Sequence, residues 1–330
     1  MPSLPSDDAL AVPRGSTTIR YSVVVPVYTN EGTLAELLER LCAISERLGG
    51  GLEAVLVVDG SPDSSLEVLR ELLPRTPLPS RLLVHARNFG SFAAIRTGMA
   101  AARGEYVGVM AADLQEPPEL MEAFFARLRT GEVDVVVGRR ESRDDPALSA
   151  LMSRVFWWLY RKAINPEFPP GGVDVFGCTR EVALRLLSLN EAHSSLVGLL
   201  YWVGYRREEV PYSRLARTSG RSGWTLRKRV RYLLDSVFSF TDIPITMLST
   251  VGAAGAALTA LVAVVVFVGW ATGRITETGY TPLMLTILFS TFSMLSALGI
   301  VGSYVWRAFE NSKQRPGSIA RTMETFHADD

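Results

Sequence analysis

Tyr106-Val107-Gly108-Val109-Met110 is a short apolar run that passes at once into Ala111-Ala112-Asp113-Leu114-Gln115-Glu116-Pro117-Pro118. A run this short, followed by a helical period from Pro118 to Arg129, reads as a buried strand that turns through a polar loop into a helix. The same phrase precedes it three times. Ser22 to Val27 leads into a helix with its apolar stripe at Leu34, Leu37, Leu38, Leu41 and Ile44, where Thr33 and Glu36 predict a capping box. Ala54 to Val58 leads into Leu66 to Leu73, and Arg81 to His85 into Ser91 to Ala102. A fifth run, Val133 to Gly138, follows. Strand and helix in alternation predict a parallel sheet with helices on its faces, and such sheets bind ligands beyond the carboxyl ends of their strands. The chemistry is therefore expected at residues 28 to 32, 59 to 63, 86 to 90, 111 to 116 and 139 to 143.

Polar residues collect in those loops: Asn30 and Glu31, Asp59 and Asp63, Arg87 and Asn88, Asp113 and Gln115, Arg139 and Arg140. Asp113 and Gln115, two positions apart at a strand end, offer hard oxygen ligands to one divalent cation and leave room for diphosphate oxygens, which implies magnesium or manganese. The plainer reading of a strand-end aspartate is a helix cap. In Asp59-Gly60-Ser61-Pro62-Asp63-Ser64 the glycine allows a tight turn and the carboxylates can accept from a base N–H or a ribose hydroxyl, although these are also ordinary turn residues.

The rest of the 330 residues are of another character. Formal net charge is zero, so no global basic field argues for nucleic acid. Ile245 to Trp270 and Thr281 to Trp306 contain no Asp, Glu, Lys or Arg, and each is long enough to be read as a transmembrane helix. Arg214, Arg217, Arg221, Arg227, Lys228, Arg229 and Arg231 precede the first, and Arg307, Lys313, Arg315 and Arg321 follow the second, which predicts both flanks on the cytoplasmic side. Between Leu226 and Thr241 an amphipathic helix is expected in the membrane interface, its cations at anionic headgroups. The first 18 residues lack a continuous apolar stretch and read as a disordered tail rather than a signal peptide. Cys42 and Cys178 have no metal-like spacing and read as reduced structural thiols.

Taken in order, Val23 to Tyr28, Val57-Val58-Asp59-Gly60-Ser61-Pro62-Asp63, Ala86-Arg87-Asn88-Phe89-Gly90, Arg103-Gly104-Glu105, Asp113-Leu114-Gln115-Glu116-Pro117-Pro118-Glu119-Leu120 and Gly171-Gly172-Val173-Asp174 resemble the family 2 glycosyltransferases. The likeness is to their polyprenyl-phosphate branch, and it continues through Trp202-Val203-Gly204-Tyr205, Val210-Pro211-Tyr212, Gly220-Arg221-Ser222-Gly223-Trp224 and Gly302-Ser303-Tyr304. The resemblance implies an α/β fold: a GT-A, Rossmann-like nucleotide-sugar-binding domain over residues 19 to 215, a basic loop and amphipathic interface helix over 216 to 243, two C-terminal transmembrane helices over 244 to 308, and a cytoplasmic tail from 309 to 330. It implies a nucleotide-sugar pocket at Pro26, Tyr28, Asn30 or Thr29, Glu31, Asp59, Arg87, Asn88 and Gly90, with Asp113 and Gln115 holding Mg²⁺ or Mn²⁺. Asp174 matches the candidate catalytic carboxylate, and Arg139 or Arg140 and Arg221 match cations near phosphates.

By the same resemblance the expected activity is inverting transfer of a sugar from a nucleotide-sugar to polyprenyl phosphate at the cytoplasmic membrane face. Membrane lipids would then be partners, nucleic acid would not, and symmetric self-assembly is compatible with the pattern. Two departures stand out: Val58-Asp59 where the family has paired acids, and Ala111-Ala112-Asp113 where it has Asp-Ala-Asp. They motivate an alternative, a non-catalytic membrane-bound nucleotide-sugar-binding protein. A dinucleotide oxidoreductase is disfavoured, because Tyr28-Thr29-Asn30-Glu31-Gly32 is not a glycine-rich phosphate loop.

Overall fold

The computed structural model describes residues 19–140, 173–189, 195–214, 280–313 and 315–327, with scattered residues between 237 and 272. Strands β1 (Tyr21–Val27), β2 (Leu52–Val58), β3 (Ser80–His85) and β4 (Tyr106–Val109) alternate with helices α1 (Leu34–Arg47), α2 (Ser65–Leu72) and α3 (Ser91–Ala101). Helix α4 (Leu120–Leu128), β5 (Val135–Arg140), β6 (Phe176–Thr179), α5 (Arg180–Ser188), α6 (Leu196–Trp202) and β7 (Arg207–Tyr212) follow. A long helix α7 (Tyr280–Ser312) and a last strand β8 (Ala320–Phe326) complete the described elements.

The expected strand and helix alternation is present, each element within a few residues of its predicted place. Side chains on a strand point alternately to opposite faces, and here both faces are buried. Val23, Val25 and Val27 of β1 pack with Leu34, Leu37, Leu41 and Ile44 of α1, with Phe124 and Phe125 of α4 in the same core. Val24 packs on the other face with Val55 and Val57, in a core that includes Ala94 and Ile95 of α3 and Leu186 of α5. Burial on both sides is why β1 and β2 read as continuous apolar runs.

The eight strands form one sheet in the order β7-β5-β6-β4-β1-β2-β3-β8. It is mixed, not purely parallel as expected. β1 pairs in parallel with β2 and β4, and β2 with β3. β6 is antiparallel to both β4 and β5. β8 lies antiparallel along β3, joining Ser80 to Phe326 and His85 to Ala320. The three later strands are short or largely polar, Phe176–Thr179, Arg207–Tyr212 and Ala320–Phe326, and so lack the long apolar run that announces a buried parallel strand.

Thr33 does not cap α1. Its side chain makes no capping hydrogen bond, and the hydroxyl donates instead to the carbonyls of Ala112 (2.6 Å) and Asn30 (3.1 Å). Among the described residues no helix is long and apolar enough to cross a membrane, which overturns the expectation of two C-terminal transmembrane helices. The second expected span lies within α7. The first, Ile245 to Trp270, is described only at residues 245–248 and at scattered positions beyond them. The N-terminal tail, most of the amphipathic segment 226–241, Gly171, Gly172 and Arg221 lie outside the described residues. Both cysteines are free thiols, and burial pushes Cys178 up to about 12.

Candidate active site

The loops after β1, β2 and β3 are knitted into one rim. Thr29 takes a left-handed backbone conformation (φ 56°) and donates its N–H to Ser61 Oγ at 2.8 Å. Asn30 N–H donates to Ser65 Oγ (3.1 Å), and Tyr28 N–H to the Asn30 side-chain oxygen (3.0 Å). Glu31 and Asp63 bind reciprocally: Glu31 N–H donates to Asp63, and Ser64 N–H donates to Glu31. Burial works against the Asp63 charge, but hydrogen bonds from Ser61, Ser65 and Glu31 N–H outweigh it and hold the carboxyl below its usual range. Tyr28 stays 46 % exposed, leaving a ring face open to a flat ligand.

Asp59, at the end of β2, is buried. Its Oδ1 accepts from Phe89 N–H at 2.8 Å and lies 2.7 Å from His85 Nδ1, while Oδ2 accepts from Gly90 N–H at 2.7 Å. This carboxylate thus orders the 87–90 loop. Gly60 at φ +60° lies against that loop so closely that an added Cβ would meet the backbone of Arg87 and Asn88 at 2.5 Å. The Arg87 guanidinium lies over the Phe89 ring, 3.9 Å from its centroid, and Asn88 is exposed.

The loop after β4 contributes a second cluster. Leu114 adopts φ 55°, and Gln115 N–H donates to Asp113 Oδ1 at 3.3 Å. Arg214, just after β7, donates to the Gln115 side-chain oxygen at 2.7 Å, and its Nε lies 3.3 Å from Glu116 Oε1. Arg140, on β5, pairs with Asp174. Glu116 is 1 % exposed, and among the described residues both its oxygens lack a hydrogen-bond partner, as do Arg140 Nε and Arg214 Nε. Burial and the nearby Asp174 and Asp113 push the Glu116 carboxyl up to about 7 against the pull of Arg214 and Arg140. Burial opposes the Arg140 charge, but Asp174 and Tyr212 more than compensate and keep the guanidinium above its ordinary value. Burial, with Asp174 and Glu116 adding to it, raises the Tyr212 phenol well above its usual range.

The structure therefore brings together Arg140 and Asp174, and links both electrostatically to Glu116, which Asp113 also reaches. It separates the two candidate arginines of β5. Successive residues point to opposite faces, and Arg139 pairs instead with Glu209 of β7 at 3.2 Å. Arg214, Glu116 and Tyr212 were not singled out as site residues from sequence. In the sequence Arg214 is one cation of a basic flank, and Glu116 and Tyr212 are parts of family-like motifs. Among the described residues no group of three or more His, Cys, Asp or Glu side chains could hold a metal ion. The oxygen donors of this loop are Asp113 and Gln115. Both are oxygen donors of the kind a small hard cation takes along with waters and phosphates, but the Gln115 oxygen accepts from Arg214 at 2.7 Å, so a cation there would have to displace that guanidinium.

Residues 22–185 match the family described as glycosyl transferase family 2. An uncharacterized glycosyltransferase of Synechocystis is 30% identical over 91% of this chain and 94% of its own. The bactoprenol glucosyl transferase of Shigella phage SfV is 27% identical over 92% of this chain and 98% of its own. The undecaprenyl-phosphate 4-deoxy-4-formamido-L-arabinose transferase of Pseudomonas fluorescens is 29% identical over 89% and 87%. In fold the chain is similar to glucosyl-3-phosphoglycerate synthase from Mycobacterium tuberculosis, solved with Mn²⁺, UDP-glucose and phosphoglyceric acid, with a TM-score of 0.51, 20% identity, and 67% and 79% of the two chains covered. A mixed α/β sheet of the GT-A type, polar loops gathered at its strand ends, and likeness to relatives along almost their whole length lead to one assignment: the chain belongs to glycosyl transferase family 2 and is a glycosyltransferase.

Proposed function

We propose that the protein transfers a sugar from a nucleotide-sugar to the phosphate of a polyprenyl lipid, inverting the anomeric centre, at the cytoplasmic face of a membrane. The observation that carries this reading is the mixed cluster after β4. Arg140 and Arg214 stand among Asp113, Glu116 and Asp174, and among the described residues Arg140 Nε and Glu116 Oε2 lack a hydrogen-bond partner while Arg214 Nε and Glu116 Oε1 face each other only as an ion pair. Such a set is ready to exchange carboxylate contacts for phosphate oxygens. Relatives named for bactoprenol and for undecaprenyl phosphate support the choice of acceptor.

The rim of Pro26, Tyr28, Asn30, Glu31, Asp59 and the 87–90 loop takes the donor nucleotide in this reading. Asp113 and Gln115 would hold Mg²⁺ or Mn²⁺, which supplies positive charge to the leaving nucleoside diphosphate. The acceptor is a phosphomonoester with a second pKa of about 6, already anionic near neutrality, so it needs little help from a base. Arg140 then orients the acceptor phosphate, with Arg221 as a second cation. Asp174 positions Arg140 and the sugar rather than removing a proton. Attack in line with the departing diphosphate inverts the anomeric carbon. Exposed Leu283, Ile287, Met294, Leu298, Val301 and Val305 along α7 support contact with lipid, where the acceptor tail resides.

The test is turnover. Purified protein with a panel of nucleotide-sugars, undecaprenyl phosphate and Mg²⁺ or Mn²⁺ is expected to yield one glycolipid. Asp113→Ala should abolish it without lowering the melting temperature. No product with any donor, or full activity in Asp113→Ala, would overturn the reading.

A further inference from the structure

The last strand reaches the donor rim through a chain of side chains. β8 lies along β3, and Ala86 N–H donates to the Ile319 carbonyl at 3.0 Å just beyond the last paired residues. Next to it the Ser318 and Thr97 hydroxyls are bonded to each other at 2.7 Å. Thr97 Oγ1 lies 2.9 Å from His85 Nε2, and His85 Nδ1 lies 2.7 Å from Asp59 Oδ1. Asp59 in turn accepts the amides of Phe89 and Gly90. His85 and Asp59 are both 2 % exposed, so no water replaces a lost partner cheaply. The chain spans 221 residues of sequence between Thr97 and Ser318.

We infer that Ser318 of the C-terminal strand is a positioning residue for the donor loop: through Thr97, His85 and Asp59 it holds Phe89 and Gly90 in place and so sets affinity for the donor nucleotide. The inference rests on the proposed placement of the donor on the 87–90 loop. Its physical basis is that a buried imidazole has one orientation only while both ring nitrogens are bonded. Ser318 anchors the hydroxyl that bonds the outer nitrogen. Thr97 Oγ1 is already bonded to the Ala93 carbonyl at 3.0 Å, so without the Ser318 partner its single proton is divided between that carbonyl and His85 Nε2, and the ring is held less firmly on its outer side.

The experiment compares the full chain with Ser318→Ala, Ser318→Thr and, as a control on the same strand away from the chain, Thr325→Ala. Two quantities are read: amide hydrogen exchange at Phe89 and Gly90 without ligand, and donor KM and kcat. Ser318→Ala keeps the backbone pairing of β8, so folding should survive. Loss of one net hydrogen bond predicts about three- to tenfold faster exchange at both amides and a donor KM raised by a similar factor, with kcat within about twofold. Ser318→Thr should restore both, and Thr325→Ala should leave both unchanged. Unchanged exchange at Phe89 and Gly90 in Ser318→Ala overturns the inference. Faster exchange with unchanged donor KM overturns the placement of the donor on this loop while the coupling itself stands.

Discussion

At the scale of single residues, the family-like motifs divide into chemistry and architecture. Arg103-Gly104-Glu105 carries the resemblance in sequence, but its observed work is structural. Gly104 packs so tightly on Ser22 that an added Cβ would meet backbone at 2.7 Å. Gly60 is a comparable case at the donor rim, with a left-handed backbone and two backbone atoms 2.5 Å from any Cβ. Gly60→Ala is expected to destabilise the fold by about 2 kcal/mol or more, from strain and from displacement of Arg87 and Asn88. Thermal unfolding measures it, and donor KM should rise in the same variant. Asp59 was legible as a site residue from its place at a strand end. That its carboxylate serves the Phe89 and Gly90 amides was not, because those partners come from the far side of the next strand.

At the scale of elements, Thr33 shows how a local motif is redirected by tertiary contacts. Threonine followed by glutamate at the third position promises reciprocal capping, yet the hydroxyl is spent on the Ala112 carbonyl, 79 residues away. It therefore ties the start of α1 to the loop that carries Asp113. Thr33→Val should cost about 1 kcal/mol, and Thr33→Ser should recover most of it. Because the lost bond is to the Asp113 loop and not to α1, helix content by circular dichroism should stay the same while activity falls. At the opposite ends of β1 and β2, Glu53 joins the elements. Its fully buried carboxylate accepts from Ser22 Oγ and Arg103 N–H, both at 2.6 Å, and from Arg103 Nε at 2.9 Å. Glu53→Gln leaves cations without their counter-charge and is expected to cost about 3 kcal/mol or more. Chemical denaturation gives the value, and wild-type stability in that variant would disprove the role.

At the scale of the whole molecule, acid sensitivity follows from carboxyls held below their usual range. Arg206, bonded through its side chain and backbone N–H, holds Asp134 low, and hydrogen bonds do the same for Asp63 against burial. A depressed folded-state pKa means stabilisation that is complete above the unfolded value, about 3.9, and lost as pH falls through the folded one. The contribution of these two carboxyls to the melting temperature should therefore be flat above about pH 5 and decline below about pH 4, while the raised Glu116 carboxyl acts in the opposite sense, lowering stability as pH rises towards about 7. Asp134→Asn should flatten part of that decline, and a decline of unchanged steepness would remove Asp134 from the explanation. The order and spacing of strands and helices from β1 to β5 can be read from the chain without its fold, because period and turn chemistry are local. That pattern also places Asp113, Gln115, Asp59 and the 87–90 loop at strand ends, since topology puts loops there. Tertiary structure alone decided that Arg139 turns to Glu209 while Arg140 meets Asp174. It alone brought Arg214 to Gln115 across 99 positions, and β8 to the edge of β3. Contacts across such separations leave no periodic trace in the chain, and they form only once the sheet exists to bring their partners within reach.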